Sequence, residues 1–268
     1  MRLTISKSSR VAVLLAASAL ALTACGSGSS SDGGSPAADN ELGLVTPGTL
    51  TVCSDIPYPP FEFEEDGKYT GFDMDLVGEI ANGLDLELKV QDVGFDGLQS
   101  GVVLNAGQCD MGASAITITE ERKKNLAFTE PYYDSLQSLL VPAGSDIKKI
   151  EDLAGKSVGV QQGTTGEKYT RENAPSDAEI RAYPSDGELF PALQSGGVDA
   201  VLQDLPVNLG HLEGGKYEVV QEFKTDEQYG FAMKKEGTEA LLEAVDGQLK
   251  DLRDSGKYQE IYDKYFKQ

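Results

Sequence analysis

The chain has 268 residues, with 44 acidic side chains against 23 basic ones and a formal net charge of −21. Nucleic-acid backbones and anionic lipid headgroups are bound by a surplus of Lys and Arg, so this balance excludes both as partners. A single histidine, His211, supports neither a histidine-based metal site nor a Ser-His-Asp triad, and no metal or other cofactor is expected.

Arg2, Lys7 and Arg10 precede an unbroken run of apolar and small residues, Val11–Leu22. That run is too short to span a bilayer stably, so residues 1–24 read as an export signal. The signal closes on Leu22-Thr23-Ala24-Cys25, which resembles a bacterial lipoprotein signal whose cleavage leaves Cys25 as the lipidated first residue. Residues 25–43 are mostly Gly, Ser, Asp, Pro and Ala, a composition that cannot bury enough surface to fold and reads as a flexible tether. The expected location is the outer face of the cytoplasmic membrane, in periplasm or at the cell surface. With Cys25 assigned to lipid, Cys53 and Cys109 remain, and export to an oxidising compartment suggests a disulfide between them. Two buried free thiols are the alternative.

After the tether, strands and helices alternate. Leu50–Cys53 reads as a buried strand and Asp73–Leu84 as a helix with Met74, Val77, Ala81 and Leu84 on one stripe. Leu86–Val90 and Met111–Ala115 read as strands, with a helix over Gly97–Leu104 between them. Thr117 and Glu120 have the spacing of a capping box, which predicts a helix just after Thr117. Leu136–Val141 is strand-like. A second alternating run then comprises Ser157–Val160, Gly166–Asn173, Glu179–Ala182, Asp186–Ser195 and Ala200–Leu202. Thr164 and Glu167 repeat the capping-box spacing. Tyr229–Met233 reads as a strand and Thr238–Phe266 as a helix broken at Gly256. This alternation predicts parallel sheets covered by helices, in two lobes: 44–138 with 226–268, and 139–225. The chain would cross between them twice, at 136–142 and 223–229, leaving a ligand cleft at a hinge.

Four ordered blocks carry a resemblance. Asp55-Ile56-Pro57-Tyr58-Pro59-Pro60-Phe61-Glu62 leads into Gly71-Phe72-Asp73-Met74-Asp75-Leu76; then come Thr117 to Arg122 with Ala127-Phe128-Thr129, Gln162-Gly163-Thr164-Thr165, and Gln203-Asp204. Together they resemble the polar amino-acid family of extracellular solute-binding proteins, the receptors of ABC importers. The resemblance implies an α/β, two-lobe periplasmic-binding-protein-like (type II) fold with a double-crossing hinge. It implies that Arg122 clamps a ligand α-carboxylate, with Thr117, Thr164 and Thr165 helping. Asp204 and the Ala115 carbonyl would receive the α-ammonium, and Tyr58 and Phe95 would sandwich the side chain. Asp55, Ser114, Gln161 and Gln203 lie where side-chain selectivity is set. A carboxylate at Asp55 favours a basic or amide amino acid such as arginine, lysine or glutamine.

The implied partners are a free L-amino acid, a permease and ATPase complex, and the membrane through the lipid anchor, with the protein a monomer. The segment Gly101–Gln108 is about two residues longer than the family pattern. The implied role is that of a carrier, not an enzyme. Two rivals are a dehydratase acting on carboxylated cyclohexadienyl compounds, known on the same scaffold, and a sensor that presents its bound form to a signalling partner. The run Gly210 to Gly215-Lys216 is no phosphate loop, because Tyr217 replaces the required Ser or Thr.

Overall fold

The computed structural model describes residues 41–267. The expected signal, Cys25 and the tether as far as Asn40 lie outside the described residues. Leu42 and Leu44 already pack against the core, and Asp110 fixes the chain here by accepting from the Val45 and Thr51 N–H groups at 2.6 and 2.7 Å.

Two five-stranded sheets organise the molecule. The first contains β1 (Thr49–Ser54), β4 (Glu87–Asp92), β5 (Met111–Gly112), β6 (Leu126–Phe128) and β12 (Ala232–Lys234), in the order β4-β1-β5-β12-β6. Within it β4, β1 and β5 run parallel, while β12 is antiparallel to its neighbours. The second holds β7 (Tyr133–Pro142), β8 (Ser157–Gln161), β9 (Glu179–Tyr183), β10 (Ala200–Asp204) and β11 (Tyr217–Tyr229), in the order β11-β7-β10-β8-β9. Here β10, β8 and β9 are parallel, and β7 and β11 are antiparallel. The sheets are therefore mixed, not parallel throughout, because the strands that carry the chain between them return without a crossover helix. A small hairpin, β2 (Phe63–Glu65) with β3 (Lys68–Thr70), completes the strands.

Helix α1 (Phe72–Gly83) buries Leu76, Val77 and Ile80 against Leu50 and Val52 of β1. It starts at Gly71, whose φ of 127° and whose absent Cβ, which would sit 2.1 Å from the Phe61 carbonyl oxygen, require glycine. Two long C-terminal helices, α5 (Glu239–Ser255) and α6 (Lys257–Phe266), separate at the left-handed Gly256 and pack on α1. On the second sheet, alternation along β7 sends Leu139 and Val141 to one core with Val158 and Val160. Leu140 goes to the opposite core with Leu189 and Val201. Truncating any of these fully buried leucines to alanine costs roughly 2–5 kcal/mol. Cys53 and Cys109 are joined with Cα atoms 5.8 Å apart; closing a 56-residue separation stabilises by about 4 kcal/mol in the chain-entropy account.

Several expected elements differ. Strand β5 ends at Gly112, because Ala115 takes a left-handed φ of 45°. The helix over 97–104 divides at Gly101 (φ 84°) into α2 (Phe95–Gln99) and α3 (Val102–Asn105). The strand over 229–233 divides between β11 and β12. No helix starts after Thr117: it bridges to Tyr229, and its hydroxyl is turned inward onto Glu227 at 3.0 Å. Thr119 takes over as the local cap, accepting from Arg122 N at 3.1 Å, and only a 3₁₀ turn forms over Arg122–Lys124.

Candidate functional site

The loops that follow β1, β4, β5, β8 and β10 converge on one cleft between the two sheets. Each leaves the carboxyl end of a strand that is parallel to a neighbour, where ligands of α/β sheets bind. Of the expected residues, Asp55, Tyr58, Phe95, Ser114, Ala115, Thr117 and Arg122 reach it from the first lobe. Gln161, Thr164, Thr165 and Asp204 reach it from the second, and together they line a space of about 280 Å³, mouth included. Gln203 does not: the strand alternation turns its amide to the other face, where it donates to Asp186 Oδ1 and Asn208 Oδ1, each at 3.0 Å.

Arg122 is buried, and its guanidinium stacks over the Phe95 ring at 5.3 Å. Nη1 donates to the Thr117 carbonyl at 2.8 Å, Nη2 to the Gly163 carbonyl at 3.0 Å, and Nε reaches Gln99 Oε1 at 3.4 Å. A guanidinium has five N–H groups, so two have no protein acceptor among the described residues, the number a bidentate carboxylate takes. Burial pulls the Arg122 pKa down to about 10 against the opposing pull of Glu227 and Asp204, so the group stays cationic at neutral pH. Of the second expected capping box the threonine half forms, while the Glu167 carboxylate accepts from Gly163 N at 2.7 Å instead of from Thr164 N. Thr164 Oγ1 accepts from Glu167 N at 3.0 Å, and helix α4 (Thr165–Asn173) opens at the cleft, its N-terminal N–H groups favouring anions. Gly163, at φ 78°, makes the turn that brings its carbonyl to Arg122.

Asp204 lies on the opposite wall, accepting from the Tyr58 hydroxyl at 2.7 Å and from Gln137 Nε2 at 2.5 Å. Burial, reinforced by the nearby Glu227 carboxylate, raises its pKa to about 7. At the far end of the cleft Gln161 Nε2 donates to Asp55 Oδ2 at 2.5 Å, and Asp55 is likewise raised to about 7 by burial. The contacts Tyr58–Asp204, Arg122–Gly163 and Asp55–Gln161 each join one lobe to the other, so the cleft is closed by two side-chain pairs and one side chain on a backbone carbonyl.

Four residues of this region were not singled out as site residues from the sequence. Glu62 and Asp73 lie under the cleft floor. Glu62 accepts from the Ser114 hydroxyl at 2.7 Å, and Asp73 accepts from the Ala115 N–H at 2.9 Å and the Tyr132 hydroxyl at 2.7 Å. Burial pushes Glu62 well above the usual carboxylate range and Asp73 to about 7. Gln137 places one amide between Asp204 and Glu227, and Glu227 accepts from both Thr117 and Thr165. Glu62 and Asp73 sit inside quoted sequence blocks, which was the available signal. Gln137 and Glu227 sit on hinge strands and had none. Among the described residues no group of His, Cys, Asp and Glu is arranged to hold a metal ion.

A closed interlobe cleft at the carboxyl ends of the strands of two α/β sheets is the architecture of a two-lobe solute receptor. The chain belongs to the bacterial extracellular solute-binding proteins, family 3, whose pattern matches residues 50–268. A probable histidine-binding protein of Neisseria gonorrhoeae is 34% identical over 268 residues, covering 96% of this chain and 94% of its own. An ancestral arginine-binding protein solved bound to glutamine is 37% identical with a TM-score of 0.78, over 82% of this chain and 99% of that one. An ancestral amino acid-binding protein described as a precursor of cyclohexadienyl dehydratase is 37% identical with a TM-score of 0.76, over 82% of this chain and 96% of that one. The two-lobe type II fold of these neighbours is the fold of this chain.

Proposed function

We propose that this protein captures a polar L-amino acid in the cleft and delivers it to an ABC permease and its ATPase, tethered to the outer face of the membrane through lipid on Cys25. The observation that carries the reading is the opposed pair Arg122 and Asp204. The two unengaged N–H groups of Arg122 suit an α-carboxylate, and Asp204 suits an α-ammonium, so a zwitterion supplies the missing charge of each sign. Residues 44–138 with 226–268 would form one lobe and 139–225 the other. A ligand that bridges Arg122 and Thr117 on the first with Thr165 and Asp204 on the second stabilises the closed arrangement selectively. Tyr58 and Phe95 supply aromatic faces for the side chain, and Asp55 with Gln161 supplies an acceptor and an amide at its end. That chemistry favours a basic or amide side chain, in keeping with relatives named for histidine, glutamine and arginine.

Calorimetric titration of ligand-stripped protein against the twenty amino acids tests this. Saturable one-site binding, strongest among arginine, lysine, histidine and glutamine, is expected; heat from none of the twenty overturns it. A second reading, turnover of a cyclohexadienyl carboxylic acid, draws on the ancestral neighbour and on two cleft carboxyls, Asp55 and Asp204, raised to about 7 and so able to give up a proton. Product formation from such an acid, together with silence in the titration, would favour it. The anchor is tested separately: Cys25→Ser should release the protein from washed membranes, and an unchanged membrane fraction would remove Cys25 from the account.

A further inference from the structure

Glu227 is buried near the end of β11, where that strand runs between the two sheets, and none of the four family-like blocks contains it. Its Oε2 accepts from Thr117 Oγ1 at 3.0 Å and from Thr165 Oγ1 at 2.8 Å, one hydroxyl from each wall of the cleft. Both its oxygens lie 3.2 Å from Gln137 Nε2, which ties it to Asp204. A carboxylate only accepts, and a hydroxyl has one proton to give. With those protons committed inward, Thr117 and Thr165 offer the cavity lone pairs instead. A bound carboxylate is then left with Arg122 and the N-terminus of α4, while a bound ammonium meets the two hydroxyl oxygens in addition to Asp204.

We infer that Glu227 is a positioning residue: by holding the protons of Thr117 and Thr165 from inside the protein, it sets how strongly the cleft distinguishes an amino acid from the amine lacking its carboxylate. This rests on the amino-acid reading above and adds to it an internal competitor for the ligand's carboxylate. The competitor carries the same charge as the group it competes with, and the two seek the same hydroxyl donors.

The test compares wild type, Glu227→Gln and Glu227→Asp by calorimetry. The probes are arginine, lysine, histidine and glutamine, each paired with its own decarboxylated amine. In Glu227→Gln the amide nitrogen can donate to the hydroxyl oxygens and turn their protons to the cavity. Amino-acid affinity should rise about tenfold, the worth of one recovered charge-assisted hydrogen bond, while affinity for the paired amine stays level or falls. Glu227→Asp, shorter by one methylene, should move the amino-acid to amine ratio the same way by less, and it serves if the Gln variant does not fold. A role confined to stability would weaken both probes together and leave the ratio unmoved. An unmoved or reversed ratio overturns the inference while leaving the amino-acid reading intact. If wild type binds none of the twenty amino acids, both fall; if it binds only one outside these four, that amino acid and its own amine are the pair compared.

Discussion

The two ends of the cleft are built on different logic. At the Arg122 end the groups are locked by other parts of the protein: backbone carbonyls of Thr117 and Gly163 fix the guanidinium, and Tyr58 and Gln137 fix Asp204. At the Asp55 end the side chains hold mainly one another, Asp55 against Gln161, with a further bond from Gln161 to the Pro184 carbonyl at 3.3 Å. A rigid, multiply anchored end suits groups that every ligand of the class shares. An end closed by an exchangeable carboxylate–amide pair suits the part that varies. The lesson is that affinity and selectivity can be separated along one cleft.

Arg122→Ala should test that division most severely. It removes the one cationic side chain lining the cavity and strands the ligand carboxylate, so binding of every amino acid should fall by roughly 3–5 kcal/mol. Titration showing affinity within a few-fold of wild type would refute the assignment. Asp204→Asn follows, with a loss of about 2–3 kcal/mol across all ligands alike.

Asp204 also sets a pH dependence. Its pKa is raised to about 7, and only the ionised form attracts an ammonium. Affinity for an amino acid with an uncharged side chain should therefore climb as pH rises towards and just past 7. Below that it should fall, approaching tenfold per pH unit, and Asp204→Asn should flatten the profile. A wild-type affinity constant from pH 5.5 to 8 would contradict this. The same raised carboxyls bind protons more tightly folded than unfolded. Their contribution to stability is thus fully present below about 4 and is lost as pH rises through about 7, which a thermal melt series can follow.

Asp55→Asn belongs to the other end and should act on ranking, not on the shared clamp. Binding of basic amino acids should weaken about tenfold relative to neutral ones. If the order of ligands survives the change, Asp55 has no part in selectivity. The smallest effect is expected at Gln203→Ala: affinity within about twofold, and a stability loss of about 1 kcal/mol from the interrupted Asp186–Gln203–Asn208 network. A large binding defect there would mean that the face assignment along β10 is wrong.

Much of this was legible in the chain before any coordinates. The stripes and alternations that form α1, β1, β8 and β10 are local, and local periodicity needs no partner to declare itself. The capping boxes show where that ends. Thr117-x-x-Glu120 and Thr164-x-x-Glu167 have identical spacing, yet only the second caps a helix. The difference is Glu227, 110 residues beyond Thr117, which takes the Thr117 hydroxyl for itself. Strand β11 was hidden for a related reason: it is an edge strand that exposes Glu222, Lys224, Asp226 and Gln228, so its sequence resembles a loop until β7 pairs with it.

The sequence by itself determined most of the elements that form, the order of the binding loops, and which residues stand at their tips, because these follow from spacing and residue type. Only the tertiary structure decided which faces those tips present. It turned Gln203 away from the cleft, set Gln137 and Glu227 behind its walls, and put Glu62 and Asp73 beneath its floor. Hydroxyl protons and buried charges are assigned by whichever acceptor the fold brings within about 3 Å, and that distance has no counterpart along the chain.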